Sequence, residues 1–574
     1  MTWQAWLTVA VILATLGLLL WERFPPARIM LGAVTVLVLT GVLGPMRALA
    51  GFVNPGVLTV ALLFVLVAAL KRSGAMSGVA TAVLGRSSGL LMAQARLLFS
   101  SAGLSAFVNN TPVVATRASA VVHWSRDSRI PASKLLLPMN YATILGGLCT
   151  LIGTSTNLVV AGLVKAHPEL PELHLFTPLP VGICVALVGI GFLLLASRWL
   201  LPVRRTSVEQ VRDAREFAVT MQVEAGGPLV GKRIDHAGLR HLGGSFLVEL
   251  GRGGELLVAV TPDTVLRGGD RLVFVGGSDS VAELRRIAGL RLADEQDFDP
   301  FADGGRRHLV EVVLAQLSPL VGKTLREAKF RDSYGAAVLA LSRHGQRLHQ
   351  KLGEVALHPG DTLLLETTPA FLEQHAESHD FLLVNRIDDL QPVRRGLAAR
   401  ALSVLLAMIL ANTVFGVDIL LSAACAAVLV VVLGCVDWRD ALRSIDVPLL
   451  TVIACSFALG AATEVTGLAA EVAGQLLGLA SADPFWTLVL VYVAAVLFTE
   501  LLTNNAAAVL VFPIGLAAAA QLGVSAMPFV MAVMVGASCG FITPIGYHTN
   551  LIVYGPGGYR FSDYIRLGAP LNLV

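Results

Sequence analysis

Two short polar runs break otherwise apolar stretches of this 574-residue chain, Asn109-Asn110-Thr111-Pro112 and Thr503-Asn504-Asn505. Two further breaks are built from Gly, Thr, Asn and Pro: Gly146-Gly-Leu-Cys-Thr150-Leu-Ile-Gly153-Thr154-Ser-Thr-Asn157 and Thr543-Pro-Ile-Gly546-Tyr-His548-Thr-Asn550. A half-helix beginning at such a break presents unpaired N–H groups and a positive dipole end, which together make an anion site. Unwound carbonyls in segments 146–157 and 536–550 can ligate a small cation. Amide and hydroxyl donors hold a doubly charged oxyanion without the slow release of an arginine clamp. The chemistry they suit is reversible binding of an anion together with cations. Bond-making chemistry has no such support, because neither half shows a G-x-S-x-G, paired carboxylates or metal-ligand spacing. An enzyme is therefore not expected.

The elements that position these runs must lie in a membrane. Hydrophobic residues make up 55% of the chain and charged residues only 14%, against about 25% charged in a soluble domain. Residues 203–396 hold 25 Lys/Arg and 27 Asp/Glu, 52 of the 83 formal charges, so one soluble insert divides two membrane halves. The net charge of +3 and the placement of basic residues at the ends of apolar runs imply no nucleic-acid partner. All six Cys lie in apolar segments with no CxxC, so neither a disulfide framework nor a zinc site is suggested. Spans are expected at 3–21, 28–44, 56–70 and 176–200. The stretch between Arg96 and Lys134 is too broken for one helix and too short for two full spans, so it reads as a re-entrant hairpin.

The second half repeats the first. Asn504 follows Asn110 by 394 residues and Asn550 follows Asn157 by 393. The basic residues Lys71, Arg72, Arg86, Arg96, Arg126, Arg129, Lys134, Arg198, Arg204 and Arg205 are assigned to the cytoplasm, and the acidic loop His167 to His174 to the outside. The N-terminus is then external and the insert cytoplasmic. The second copy starts inside where the first starts outside, so the repeats are inverted, as in alternating-access transporters. The expected fold is an α-helical polytopic protein of the cell inner (plasma) membrane. It comprises repeat 1 at 1–202, insert domains at 203–300 and 301–396, and repeat 2 at 397–574. Each repeat carries a re-entrant hairpin and a broken helix.

The insert is itself duplicated. Pro228-Leu-Val-Gly-Lys232 recurs as Pro319-Leu-Val-Gly-Lys323 and Gly269-Asp270 as Gly360-Asp361, both 91 residues apart. Short strands at 245–250, 271–276, 335–341 and 362–366 with helical pieces between them predict two small α/β domains. The pattern resembles the TrkA-C domain, the C-terminal subdomain of potassium-conductance regulators. That resemblance implies a homodimer and a small-molecule ligand of nucleotide type, with purely structural dimerisation as the alternative.

The 146–157 segment is similar to the GGxxTxIGTxxN segment of the divalent anion/sodium symporter family, whose hairpin tips read Ser-Asn-Thr where this chain has Asn-Asn-Thr and Thr-Asn-Asn. By that resemblance Asn109, Asn110, Thr111, Thr503, Asn504 and Asn505 contact substrate. Gly146, Thr150, Gly153, Thr154, Asn157, Thr543, Gly546 and Asn550 build two sodium sites, and transport is of the elevator type. Sodium is then the coupling ion and no organic cofactor is implied. The run from Thr543 to Phe561, together with the TrkA-C-like pair, resembles the branch assigned to sulfate. Dicarboxylate symport, proton-coupled anion transport and oxyanion export are the alternatives within the transporter reading. A regulated potassium channel would need TVGYG-like filters, and a cation/proton antiporter would need acidic residues in the breaks; both are lacking.

Three ionisable residues have no counterpart in the other repeat. Arg117 reads as snorkelling to the cytoplasmic surface, Glu500 as a brace accepting hydrogen bonds near the outer hairpin, and His548 as structural or as a pH modulator. At the C-terminus the 394-residue offset calls for a partner of the 178–200 span at about 572–594. The second repeat is therefore expected to be one helix short, with the flank of the broken segment 527–550 uncovered and the sequence truncated.

Overall fold

A computed structural model describes residues 2–20, 24–75, 89–128, 130–204 and 395–574. Between them it describes 218–239, 245–252, 255–258, 264–276, 284, 287–292, 308–315, 318–343, 346–348, 352–367, 371 and 380–386. Arg86, Arg129 and Arg205, used above for orientation, lie outside the described residues, as do the side chain of Arg126 and the insert boundary near 300. Contacts divide the chain into a helical unit, Met1–Val203 with Leu390–Tyr554 and Tyr559–Val574, and a second unit, Arg204–Asp389 with Gly555–Gly558.

In the helical unit the expected spans form α1 (Trp3–Leu20), α2 (Pro26–Leu39), α3 (Pro55–Arg72) and, after the breaks, α8 (Leu179–Leu200). Between them lie α4 (Leu90–Ser105), α5 (Asn110–Ser128), α6 (Leu136–Gly147) and α7 (Ser155–Lys165). Past the insert run α9 (Arg395–Phe415), α10 (Ile419–Val432), α11 (Val447–Val465), α12 (Leu468–Leu479), α13 (Pro484–Leu501), α14 (Asn504–Leu522), α15 (Met527–Ser538), α16 (His548–Tyr554) and α17 (Phe561–Leu573). Six helical stretches among the described residues are long and apolar enough to cross a membrane. This is a multi-pass membrane protein. The element starts recur: Pro26 and Ile419 are 393 residues apart, Leu90 and Pro484 are 394, Asn110 and Asn504 are 394, and Ser155 and His548 are 393.

Local chemistry sets the boundaries. Proline opens α2, α3 and α13, where its missing N–H costs nothing. Asn54, Asp418 and Asp483 each accept a backbone N–H of the following helix at 2.8, 2.9 and 3.0 Å, caps worth about 1 kcal/mol apiece. Asn54 also donates to the Gly162 carbonyl at 3.2 Å. A Cβ on Gly56 or Gly162 would collide with Leu158 or Asn54, so α3 and α7 cross on glycine and α7 is held close against α3. Lys134 is buried and donates to the carbonyls of Arg198, at 2.9 Å, and Leu201. A cation at the C-terminus of α8 complements its dipole.

The last helix departs from expectation. It begins at Phe561, eleven residues ahead of the position the offset calls for, because only six residues connect α16 to α17 whereas thirteen connect α7 to α8. A Cβ on Gly182 of α8 would meet the Leu148 carbonyl at 2.6 Å, and one on Gly568 of α17 would overlap the carbonyl of Phe541. Leu148 and Phe541 are 393 residues apart and open the two breaks. The flank expected to be bare is covered by α17.

At one rim, Lys165 pairs with Asp418 at 2.7 Å. His167 stands 3.7 Å from Glu464 through Nε2, while its Nδ1 lies 2.9 Å from the Leu163 carbonyl. Both ring nitrogens face acceptors, so the imidazolium is favoured. Glu464, then the Leu163 carbonyl and Glu169, outweigh burial and raise the His167 pKa to about 9. A raised folded-state pKa stabilises fully below the unfolded value near 6.5 and is lost as pH rises through about 9. The thermal midpoint in detergent is therefore expected to fall between about pH 6.5 and 9, and to fall less in His167→Gln. Equal alkaline losses in both proteins would show that the pair contributes nothing.

The second unit contains two antiparallel five-stranded sheets. The first has β1 (Ala218–Val223), β2 (Ser245–Arg252), β3 (Glu255–Val258), β4 (Arg271–Gly276) and β5 (Leu290–Leu292) in the order β3-β2-β4-β1-β5. The second has β6 (His308–Leu314), β7 (Ala336–Arg343), β8 (Gln346–Arg347), β9 (Thr362–Thr367) and β10 (Phe381–Arg386) in the equivalent order β8-β7-β9-β6-β10. Register shifts fall at Leu247/Glu249 and Val338/Ala340, again 91 residues apart. Arg252 grips buried Asp270 through two bonds of 2.9 and 2.7 Å, and Arg343 grips Asp361 at 2.8 and 2.7 Å. The duplication is therefore carried in topology, bulge and ion pair. Sheet dominates the described residues of this unit, and much of what connects the strands lies outside the described residues. The strands β1, β5, β6 and β10 and the hairpin strands β3 and β8 add to the four that were expected.

Candidate functional site

Each polar run sits where a helix starts. α4 stops at Ser105 and α5 starts at Asn110, with Pro112 in its first turn, where a proline is tolerated. α14 starts at Asn504, and its N-cap Thr503 accepts the Ala506 N–H at 3.4 Å. Asn110, Asn504 and Asn505 are buried, Asn109 and Thr503 are half-buried, and Thr111 is exposed. Thr111 is thus the one expected substrate contact that faces outward.

The two breaks fold alike. Asn157 Nδ2 donates to the carbonyls of Gly147 at 3.4 Å and Thr150 at 2.9 Å. Asn550 Nδ2 donates to those of Gly540 at 2.8 Å and Thr543 at 2.7 Å, at the same separations along the chain. The Gly153 N–H donates to Thr150 Oγ1 at 3.2 Å, and the Gly546 N–H to Thr543 Oγ1 at 2.8 Å. A Cβ on Gly153 would lie 2.5 Å from the Gly147 carbonyl oxygen, and one on Gly540 would lie 2.8 Å from that of Gly546. Thr150, Asn157, Thr543 and Asn550 therefore shape the loops. Gly146 is not part of the loop contacts, because its Cα faces the α4 backbone at Ala102.

Cross-contacts unite these pieces. Asn110 Nδ2 donates to the Tyr547 hydroxyl at 2.6 Å, and Asn110 Oδ1 accepts from Ser105 Oγ at 2.5 Å. The Tyr547 hydroxyl lies 3.4 Å from Thr154 Oγ1, and Ser155 Oγ donates to Asn505 Oδ1 at 3.2 Å. Two polar links, Asn110–Tyr547–Thr154 and Ser155–Asn505, thus meet at adjacent residues of the first break and tie it to both tips. Thr154 is the N-cap of α7 yet makes no side-chain capping bond, which leaves N–H groups of that helix end available.

Oxygen atoms without partners cluster in the same segments. Thr156 Oγ1, Asn157 Oδ1 and Thr549 Oγ1 are buried with no hydrogen bond among the described residues, and Thr156 and Thr549 lie 393 residues apart. An unsatisfied buried polar atom costs about 1–3 kcal/mol, and a hard cation is the partner that oxygen ligands suit. Asn550 Oδ1 is used instead by Asn140 Nδ2 at 2.6 Å. Glu500 accepts the N–H groups of Ile542 at 2.7 Å and Thr543 at 2.9 Å, so it braces the second break as well as ending α13. His548 opens α16 half-buried. Arg117 is fully buried and bonded to Ser100 and Ser101. Snorkelling to the surface is therefore wrong, because the facing hydroxyls of α4 hold the guanidinium inside.

Sequence reasoning missed Tyr547, Ser105, Ser155 and Asn140. Tyr547 was within reach, because the 393-residue offset pairs it with Thr154 and so puts a hydroxyl at both positions. Asn140 sits inside α6 with no irregularity around it to draw attention.

The sequence profile described as citrate transporter matches residues 16–536 and 416–574. The chain is 36% identical over 557 residues to the "Putative sulfur deprivation response regulator" of Chlamydomonas reinhardtii, covering 94% of this chain and 95% of that protein. It is 31% identical to an uncharacterized transporter of Synechocystis, over 100% and 95% of the two chains. It is 25% identical to sodium/sulfate cotransporter 1 of Chlamydomonas reinhardtii, over 92% and 83%.

Proposed function

Because the chain belongs to the citrate transporter family, and is accordingly a membrane transporter and not an enzyme, we propose that it is a sodium-coupled symporter of a small divalent oxyanion, sulfate first, working by alternating access. The observation that carries this reading is the polar chain Asn110–Tyr547–Thr154 with Ser155–Asn505. It gathers neutral donors and helix N-termini from both halves at one place. Asn110, Asn504 and Asn505, flanked by Asn109 and Thr503, hold the anion. Thr154, Thr156, Asn157 Oδ1 and the loop carbonyls take one sodium, and Thr549 with the carbonyls around Thr543 and Gly546 takes another. The anion and the cations lower each other's electrostatic cost in a site of low dielectric, which couples their binding. The name of the sodium/sulfate cotransporter relative favours sulfate and sodium.

In this reading the two halves are inverted repeats and the N-terminus is external. The insert is cytoplasmic, a pair of TrkA-C-like domains that dimerise the protein and sense a nucleotide-type ligand. Purified protein in liposomes is expected to take up labelled sulfate only down a sodium gradient, and unlabelled divalent oxyanions are expected to compete. Uptake undiminished when choline replaces sodium would end the sodium reading, and competition by dicarboxylates alone would replace sulfate as the substrate.

A further inference from the structure

Arg117 follows Asn110 by seven residues on α5. Seven residues advance a helix by about 10.5 Å and about two turns, so both side chains leave the same face of α5. Both are fully buried. Among the described residues the Arg117 guanidinium bonds only to neutral groups: Nη1 donates to Ser100 Oγ at 2.7 Å and Ser101 Oγ at 3.0 Å, and Nη2 to the Ser100 carbonyl at 3.2 Å. Its Nε is buried without a partner among the described residues. Among the described residues no carboxylate lies within ion-pair distance of it.

Hydroxyls satisfy hydrogen bonds but cannot cancel charge. A guanidinium keeps its proton, and an uncompensated charge in a protein interior is strongly unfavourable. We propose that Arg117 is the fixed countercharge of the transported anion, compensated when a dianion sits at the Asn110 tip. The inference rests on the anion-transport reading and adds to it a residue that selects for charge. Coulomb energy scales with the product of the charges, so a dianion gains about twice what a monoanion of the same shape gains. Arg117 therefore sets the preference for sulfate over a monovalent tetrahedral oxyanion. The neutral tip residues supply shape and hydrogen bonds, and Arg117 supplies charge discrimination from about two turns away.

The test uses the full chain in liposomes with a sodium gradient, measuring the KM for sulfate and inhibition by perchlorate. Arg117→Gln is expected to raise the sulfate KM tenfold or more and to reduce the preference for sulfate over perchlorate by a similar factor. Arg117→Lys keeps the charge and loses the fork onto Ser100 and Ser101, and is expected to restore most of that preference. If Arg117→Gln does not fold, the double variant Ser100→Ala/Ser101→Ala tests the same point, because it removes the neutral bonds and keeps the charge. Retained dianion preference there supports the proposal. Equal losses in Arg117→Lys and Arg117→Gln, or an unchanged KM with only a lower thermal midpoint, would make Arg117 a staple of the α4–α5 pair and overturn it. Failure of the wild type to take up any divalent oxyanion would instead remove the anion reading and this inference with it.

Discussion

Asn110→Ala is expected to lower kcat/KM for sulfate uptake by at least about 100-fold. A hydrogen bond from a neutral donor to a charged group is worth about 1.5–3 kcal/mol, and each 1.4 kcal/mol is tenfold. The truncation also strips the Ser105 hydroxyl of its acceptor and the Tyr547 hydroxyl of its donor, at 2.5 and 2.6 Å. Tyr547→Phe separates these effects, because the ring stays and only the hydroxyl between Asn110 and Thr154 goes. It is expected to raise the sulfate KM about tenfold with kcat largely kept. Initial rates of labelled uptake in liposomes, with monodispersity and thermal midpoint in detergent as folding controls, decide both. Wild-type rates in a well-folded Asn110→Ala protein would remove the first tip from the substrate site.

The breaks were legible because polar and conformationally permissive residues in a hydrocarbon-depth segment have few bland explanations, and because the same types recur at one spacing. What Asn157 and Asn550 do was not legible. Their residue type says that they carry an amide, but whether the amide faces an ion or the loop's own carbonyls depends on how the loop turns. The structure turns both amide nitrogens onto carbonyls seven and ten residues earlier. Arg117 was misread for a related reason. Distance along the helix to the expected surface favoured snorkelling, whereas what holds the guanidinium is a pair of serines on another helix, a contact that no spacing in α5 encodes. The helix that follows the second break was misplaced because an offset carries no information about connector length, and only the short link 555–560 precedes α17. In the insert, the 91-residue duplication was visible in Gly and Pro turn residues, which are locally encoded. The extra strands were not, because β1 and β5 are edge-side partners whose pairing is settled by tertiary contact.

Gly153→Ala is expected to abolish transport, although it adds a single methyl. The new Cβ would stand 2.5 Å from the Gly147 carbonyl oxygen, 2.7 Å from that of Ser105 and 2.9 Å from the Gly147 Cα. All three are backbone atoms on two different elements, so no side-chain rotation can relieve the overlap, and overpacking of this kind costs about 1–3 kcal/mol or more. Stability alone is the smaller consequence. Gly147 bears the carbonyl that Asn157 binds, and Ser105 ends the helix that leads to the Asn110 tip, so the methyl pries the first break away from the first hairpin. It does so between the tip proposed to hold the anion and the loop proposed to hold a sodium, whose separation sets their electrostatic coupling. The sodium dependence of any residual uptake should therefore flatten along with its rate. Gly103→Ala is the matched control. It lies on α4 with nothing within 4 Å of its would-be Cβ, and alanine in a helix interior is favoured over glycine by about 0.5–1 kcal/mol, so it should transport normally and melt slightly higher. If Gly153→Ala transported as well as Gly103→Ala, with the same sodium dependence, the first break could not be the place where the ions and the anion meet.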